Sequence, residues 1–523
     1  MHPQVASNMH DSMQNNDKIE YVNYVSDEAL SGLYNKCSFT VFPSIEEGFG
    51  LPILESLWHG KPVICANFGA PAEVAKGGGC LTIDTLSETD METALEQMVF
   101  DKDMLNKLAS EAISRPMKTR RDYSSEIISV LNSFENPLCR IKKIYYWIDH
   151  TRTYPANSGI QRVTRMLARA LQQINIQLVP VRWNSRSQTF CSAGEEDLLH
   201  LAKWNGPDPD RFSSFSTPEE GESSWLLIPE LTTYLEGHDL ENVIKSAKSR
   251  GLQTAIIFYD ALPYKLSQLY PAEATKAHTD YMKKLLHFDY VLPISNTSLS
   301  DLKNFLFSHE DKLTNIEAKL HEVLLPGEFC EHPRVVNYKE PSSSIIRILC
   351  VGTIEPRKNH LTLLESFDDL TNNRAINAEL IMIGNCPFPE LEQKVNAFLK
   401  KNKRIHWLRH TDDTILASEY EKCHFTIYPS IDEGFGLPIV ESLWHGRPCI
   451  CRNTSAMMEA AEGGGCLTVD TTSVQELHEA MALLAQDKAF RGKLGQEAIT
   501  RNIKTWDAYA WEILDLLARR TAK

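Results

Sequence analysis

The chain has 523 residues, 42% hydrophobic and 24% charged. That is the balance of ordinary globular protein and excludes a disordered or fibrous chain. Lys plus Arg number 54 against 69 Asp plus Glu, a formal charge of −15, which excludes a broad nucleic-acid footprint while leaving room for a small basic pocket for a phosphate.

At roughly 100–200 residues per domain, the length predicts about three domains. Residues 1–16 are a polar tail without the apolar core of a signal peptide. No apolar run reaches the roughly 18 residues of a membrane span. The twelve cysteines are scattered and include no Cys-x-x-Cys pair. A reduced, cytoplasmic protein without a zinc or disulfide framework is expected.

Residues 17–136 are defined by an internal repeat. Residues 37–60 read CSFTVFPSIEEGFGLPILESLWHG and residues 423–446 read CHFTIYPSIDEGFGLPIVESLWHG, so Cys37 matches Cys423 at an offset of 386. The offset holds without a gap: Asp27 matches Asp413, the Gly-Gly-Gly-Cys-Leu-Thr of 77–82 matches that of 463–468, and Lys118 matches Lys504. So long a period marks a duplicated domain, not a solenoid. The second copy is preceded by about 60 residues of strand and helix pattern from Ile345 onward. Residues 17–136 are therefore a partial copy lacking that front half. Either the reading frame is cut short or the piece has lost its original job.

Next come expected strands at 144–148, 176–183, 224–228, 254–259, 290–294 and 323–325. Between the first two, Ile160, Val163, Leu167, Ala170, Leu171 and Ile174 recur at spacings of three and four, an amphipathic helix. Residues 273–286 form another. Strands alternating with helices predict a parallel α/β sheet over 141–331. Residues 332–344, with two Pro and a Ser run, read as an interdomain linker. The alternation then restarts over 345–523, with strands at 346–351, 380–383, 405–408, 425–428, 449–451 and 467–469. The fold class is thus α/β, with two doubly wound domains in series preceded by a partial copy of the second.

Two segments carry chemistry. The strand 346–351 runs into Gly352-Thr353-Ile354-Glu355-Pro356-Arg357-Lys358. A Gly at the carboxyl end of a parallel strand admits a ligand close to the backbone. Two cations followed by a helix N-terminus suit a diphosphate. Alone, adjacent basic residues in a loop are more often a solvated face. The second segment, Asp432-Glu433-Gly434-Phe435-Gly436-Leu437-Pro438-Ile439-Val440-Glu441, follows the strand 425–428. Two Gly around Phe435 make a tight turn with exposed amides, and Pro438 suits a first helical turn. Glu441 is expected in that first turn, with the turn folding it and Glu433 toward one mouth. The competing reading makes Glu441 a dipole-favoured acid and Glu433 a surface acid.

EGFGLPIVE, with its Glu-x7-Glu spacing, resembles the signature of retaining glycosyltransferases of family 4, which have the GT-B fold of two Rossmann-like domains facing a cleft. VGTIEPRKN resembles the phosphate-binding loop of that family, and residues 455–470 resemble its next loop, where Glu459 matches a recurrent acid. The resemblance is nearest to bacterial enzymes of O-antigen and surface polysaccharide synthesis, often mannosyltransferases, some with tandem modules. It implies that Arg357 and Lys358 bind the donor diphosphate. Glu433 contacts the donor sugar, and the amides of Phe435, Gly436 and Leu437 line sugar and phosphates. Glu441 accepts from the ribose hydroxyls. Gly352 and Gly159, the latter in the glycine-bearing loop after the first strand of 141–331, lie near the donor phosphates. Asp260 matches a retained acid, with Tyr259 standing where His is common. Ser295 resembles another cleft residue.

The expected donor is a nucleotide sugar, best matched by GDP-mannose, with no metal or other cofactor. The acceptor is a glycan or a polyprenyl-diphosphate-linked glycan. Expected partners are other polysaccharide-synthesis enzymes and peripheral contact with the inner face of the cell membrane, without nucleic acid. In the family the last helix crosses back to the first domain, which would make Trp506, Tyr509, Ile513 and Leu516 its packing face; packing within the second domain is the competing reading. The linker and this helix are the candidate hinges. Residues 17–136 lack counterparts of Arg357 and Lys358 and are expected to be non-catalytic. The alternative to the enzyme is a degenerate relative that binds a sugar nucleotide or scaffolds a complex without turnover.

Overall fold

The computed structural model describes residues 16, 18–22, 25–45, 47–117, 119, 122, 141, 143–216, 223–233, 240–309, 316–329, 332–372 and 376–520. The polar tail, apart from residue 16, and residues 123–140 at the end of the partial copy fall outside these. The chain divides into two compact units, Met1–Phe134 and Glu135–Lys523.

The smaller unit is a three-stranded parallel sheet of β1 (Thr40–Phe42), β2 (Val63–Ala66) and β3 (Cys80–Ile83), in that order. β2 is fully buried between helices, but much of the unit's apolar surface is open. Trp58 is 62% exposed, whereas its counterpart Trp444 is 6% exposed. Val41 on β1 is 40% exposed against 1% for Ile427. The difference lies in what covers each copy, since the sequences are near-identical here.

The larger unit holds two six-stranded sheets. In the first, β4 (Lys143–Trp147), β5 (Gln177–Asn184), β6 (Thr189–Ser192), β7 (Ser224–Ile228), β8 (Gln253–Phe258) and β9 (Tyr290–Pro293) lie in the order β6-β5-β4-β7-β8-β9. All pairs are parallel except β5 with β6. In the second, β10 (Ile346–Val351), β11 (Ala378–Ile383), β12 (Ile405–Leu408), β13 (Phe425–Tyr428), β14 (Cys449–Arg452) and β15 (Cys466–Val469) lie in the order β12-β11-β10-β13-β14-β15, all parallel. Both sheets reverse direction at the strand that starts them, and ligands of open α/β sheets bind at that switch point. The α/β class and the GT-B arrangement of two Rossmann-like sheets plus a partial third are what is found.

Three expectations need correction. Residues 323–325 are not a strand. They continue an extended segment that makes one isolated bridge to β9, Val291 with Leu320, and then the Val323 N–H donates to Pro293 O at 2.9 Å. β6 was not foreseen; it is a four-residue antiparallel edge, too short for alternation to register. Residues 332–344 are not a loose hinge, because the second sheet's side chains bind their carbonyls. Trp444 Nε1 donates to His332 O at 2.9 Å and Arg447 Nη1 to Lys339 O at 2.9 Å. The chain crosses between the sheets where the Gly327 N–H donates to Lys504 O at 3.1 Å.

The helix Trp506–Arg520 packs across the first sheet's core. Trp506, Tyr509, Ile513 and Leu517 join one buried cluster with Val163, Leu167 and Leu171 of the helix Gly159–Gln173. Leu517 takes the inner place expected of Leu516, which lies at the cluster's margin. Packing within the second domain is thereby overturned as the reading of this helix. Ile513→Ala should create a cavity costing about 2–5 kcal/mol; calorimetry should show the unfolding midpoint of the larger unit falling while that of the smaller one stays.

Candidate functional site

The site forms where the carboxyl ends of β10 and β13 face those of β4, β7 and β8. After β10, Pro356–Lys358 make a single 3-10 turn. Two hydrogen bonds hold it: the Ile431 N–H donates to Arg357 O at 2.8 Å, and the side-chain Nδ2 of the next residue, Asn359, donates to Thr471 O at 2.7 Å. The turn aims both cations at one carboxylate. Arg357 Nη1 lies 2.6 Å from Glu433 Oε2, and Lys358 Nζ lies 2.5 Å from Glu433 Oε1. Arg357 Nη2 also pairs with Glu355 at 2.7 Å. Lys358 donates to the Tyr428 hydroxyl at 2.5 Å, its ammonium lying 4.7 Å from that ring's centroid. Burial pushes the Glu433 carboxyl up, but Arg357 and Lys358 outweigh it and hold it at about 2.

Gly434 to Leu437 turn the chain from β13 into the helix Leu437–Trp444. Gly436 caps that helix at φ +98°, a left-handed conformation that a side chain would strain. Gly434 allows close approach to the other sheet, since a Cβ there would lie 2.4 Å from Tyr259 O and 3.0 Å from Asp260 Cβ. Among the described residues, the N–H groups of Phe435, Gly436 and Leu437 have no acceptor. Phe435 and Leu437 pack against the buried clusters of both sheets. Leu437 Cδ1 lies 3.5 Å from where a Cβ on Gly159 would stand.

The structure therefore unites Arg357, Lys358 and Glu433, sets Asp260 beside Gly434, and sets Gly159 beside Leu437. It sends Glu441 elsewhere. Glu441 is the fifth residue of its helix, in the second turn, because the helix begins only at Leu437; the first-turn dipole reading does not apply. Its Oε1 pairs with Arg162 Nη1 from the opposite sheet's helix Gly159–Gln173, and its Oε2 accepts from the Tyr420 hydroxyl at 3.2 Å. The two acids of the Glu-x7-Glu spacing thus have separate partners.

Further residues lie at or behind the seam, some expected from the sequence and some not. Lys265 bridges Asp432 and Asp301, at 2.8 Å each. Ser295 and Ser298 donate to Gly434 O at 2.6 and 3.1 Å. Glu459 accepts from the Asn296 N–H at 2.9 Å and the Thr297 N–H at 2.5 Å, capping the helix Asn296–His309. Tyr259 turns into the core, its hydroxyl donating to Pro229 O at 2.6 Å. Glu230, at the end of β7, accepts from the N–H groups of His150 at 2.9 Å and Thr151 at 2.6 Å. It anchors the loop leading to Gly159, and burial pushes its carboxyl up to about 7. Tyr259, Asp260, Ser295 and Glu459 could be read from the family pattern. Arg162 and Lys265 could not, because Glu441 and Asp432 lie in the other sheet.

Among the described residues, no three His, Cys, Asp or Glu side chains converge as metal ligands, and no helix is long and apolar enough to cross a membrane.

Two switch-point sheets facing across a charged seam define a GT-B protein. The same fold occurs in sucrose-phosphate synthase of Thermosynechococcus elongatus (TM-score 0.51, 16% identity, 73% of this chain and 99% of that one). It also occurs in the trehalose-6-phosphate structure of E. coli bound with UDP-2-fluoro glucose (TM-score 0.50, 10% identity, 72% and 99%). The family model of glycosyl transferases group 1 matches residues 2–115 and 339–501, and the chain belongs to that family.

Among curated relatives, the serotype-specific mannosyltransferase WbdA of Escherichia coli is 22% identical over 499 residues, 84% of this chain and 58% of WbdA. The O-antigen chain mannosyltransferase B of Escherichia coli is 24% identical over 264 residues, 49% of this chain and 66% of that protein. The chain thus spans less than two thirds of the length of either relative.

Glu433→Gln should destabilise the larger unit by about 3–5 kcal/mol at pH 7, because two partly buried cations lose a buried counter-charge. A carboxyl depressed in the fold contributes stability above its unfolded pKa of roughly 4.3 and loses it as pH falls through about 2. Urea denaturation should show wild type losing stability across that acid window, with the loss reduced in the variant.

Proposed function

We propose that the larger unit transfers a hexose from a nucleotide sugar to a growing surface polysaccharide or lipid-linked glycan, with retention of configuration, as a family 4 enzyme. The donor best supported is GDP-mannose, because two of the curated relatives are mannosyltransferases, one of them of an O-antigen chain. The observation that carries the reading is the convergence of Arg357 and Lys358 on one buried carboxylate beside a glycine turn with free amides.

Breaking the bond at the anomeric carbon leaves negative charge on the departing diphosphate and positive charge on the sugar. Fixed cations and amides stabilise the first most effectively when already in place and away from water. In this reading the diphosphate takes Arg357 and Lys358, and Glu433 turns toward a hydroxyl of the donor sugar. Glu441 accepts from the ribose, and Asp260 faces the reacting sugar from the opposite sheet. Closing the seam over the donor keeps water from hydrolysing it. The smaller unit retains Glu47, Phe49 and Glu55, but Glu47 accepts from the Ser44 hydroxyl at 2.8 Å where Glu433 meets two cations. It is read as a non-catalytic remnant of a tandem module. The site of action is the cytoplasm or the inner face of the membrane.

Incubating the protein with a panel of GDP-, UDP- and ADP-sugars should release one nucleotide in an acceptor-dependent way. Lys358→Ala in folded protein should slow that release by about a hundredfold or more. Binding of a sugar nucleotide with no release from any member of the panel would favour a binding or scaffold role instead. Deleting residues 1–136 should leave turnover in place; its loss in folded, truncated protein would assign the smaller unit a role in catalysis.

A further inference from the structure

The geometry points to Arg162 as the positioning residue that prepares Glu441 for the nucleotide's ribose, so that selection of a ribonucleotide donor depends on closure of the two sheets. The inference rests on the proposed role of Glu441 as the ribose acceptor.

Three groups from the donor side fix Arg162. Its Nη1 pairs with Glu441 Oε1, its Nη2 lies 3.9 Å from Asp413 Oδ1, and its guanidinium carbon lies 5.3 Å from the Phe329 ring centroid. Glu441 is 4% exposed. A carboxylate offers about four lone-pair positions. Arg162 and Tyr420 use one on each oxygen, which leaves one on each for two neighbouring hydroxyls. A planar guanidinium also fixes the plane of the carboxylate it meets.

The smaller unit supplies an internal comparison. Glu55 is the counterpart of Glu441, and the Tyr34 hydroxyl donates to its Oε2 at 3.1 Å as Tyr420 does to Glu441. Tyr34 stacks on His59 at 5.1 Å and 9°, as Tyr420 stacks on His445 at 4.7 Å and 6°. Yet Glu55 is exposed, and among the described residues no arginine pairs with it. The tyrosine and histidine therefore belong to the repeated domain itself. The arginine is what the facing sheet adds. With the seam open, Glu441 would revert to the condition of Glu55, held on one oxygen only.

The test compares kcat/KM for the sugar nucleotide turned over by wild type with that for its 2′-deoxyribose analogue, in full-length protein. Wild type should prefer the ribonucleotide by about tenfold or more, the worth of a hydrogen bond to a charged group. Arg162→Ala should reduce that preference to within about twofold, chiefly through KM for the ribonucleotide. Arg162→Lys should restore part of it, and serves as the variant should alanine not fold. General damage to the fold would lower both rates and leave their ratio. An Arg162→Ala ratio equal to wild type would overturn the inference. Glu441→Gln separates the two levels: if it too keeps the wild-type ratio, the ribose reading of Glu441 fails; if it loses the ratio while Arg162→Ala keeps it, only the role of Arg162 fails.

Discussion

A buried carboxylate flanked by two partly buried cations is the constraint around which the larger unit is arranged. Removing Glu433, Arg357 and Lys358 from water is unfavourable unless they meet at hydrogen-bonding distance. Meeting requires the loop after β10 and the turn after β13 to be held together. The structure does this with one backbone bond, the Ile431 N–H to Arg357 O, and one side-chain bond, Asn359 Nδ2 to Thr471 O. β10 and β13 are neighbours in the sheet, so the charge cluster sits over the one place where successive loops diverge to opposite sides. In open α/β sheets that divergence is where ligands bind.

The links between the two sheets fall on loops and helices of the second sheet. Asp432 takes Lys265, the carbonyl of Gly434 takes two serine hydroxyls, Glu441 takes Arg162, and Glu459 caps a helix of the facing sheet. Each link is polar. The two serines are fully buried and Glu441 is nearly so, and Phe435 and Leu437 add apolar contacts to the clusters of both sheets. Such a seam holds a defined closed geometry.

Local features of this design were legible in the sequence. The Gly-Phe-Gly-Leu-Pro turn could be read because Gly436 must adopt a positive φ and Pro438 fits an early helical position. Arg357 and Lys358 could be read because a strand ending in Gly352 fixes where the next residues go. The repeat at an offset of 386 revealed the smaller unit without any structural knowledge. What escaped was set by distance along the chain. The partner of Arg162 lies 279 residues away, and nothing near Arg162 hints at it. The turn of Glu441 was misplaced because the helix start depends on which glycine caps it. The supposed hinge was misplaced because a polar stretch looks the same whether its carbonyls face water or Trp444 and Arg447.

The helix Trp506–Arg520 has a consequence for how the protein comes into being. Its Tyr509, Ile513 and Leu517 complete the interior beneath β4, whose residues are translated more than 300 positions earlier. At roughly 5–20 residues per second, the nascent first sheet waits tens of seconds on the ribosome with an unfilled groove along the helix Gly159–Gln173. The second sheet has no such wait, since β10 to β15 and their helices emerge in one stretch. The order of maturation is thus the reverse of the order of synthesis, with the later half able to settle first and the earlier half finished only by the final helix.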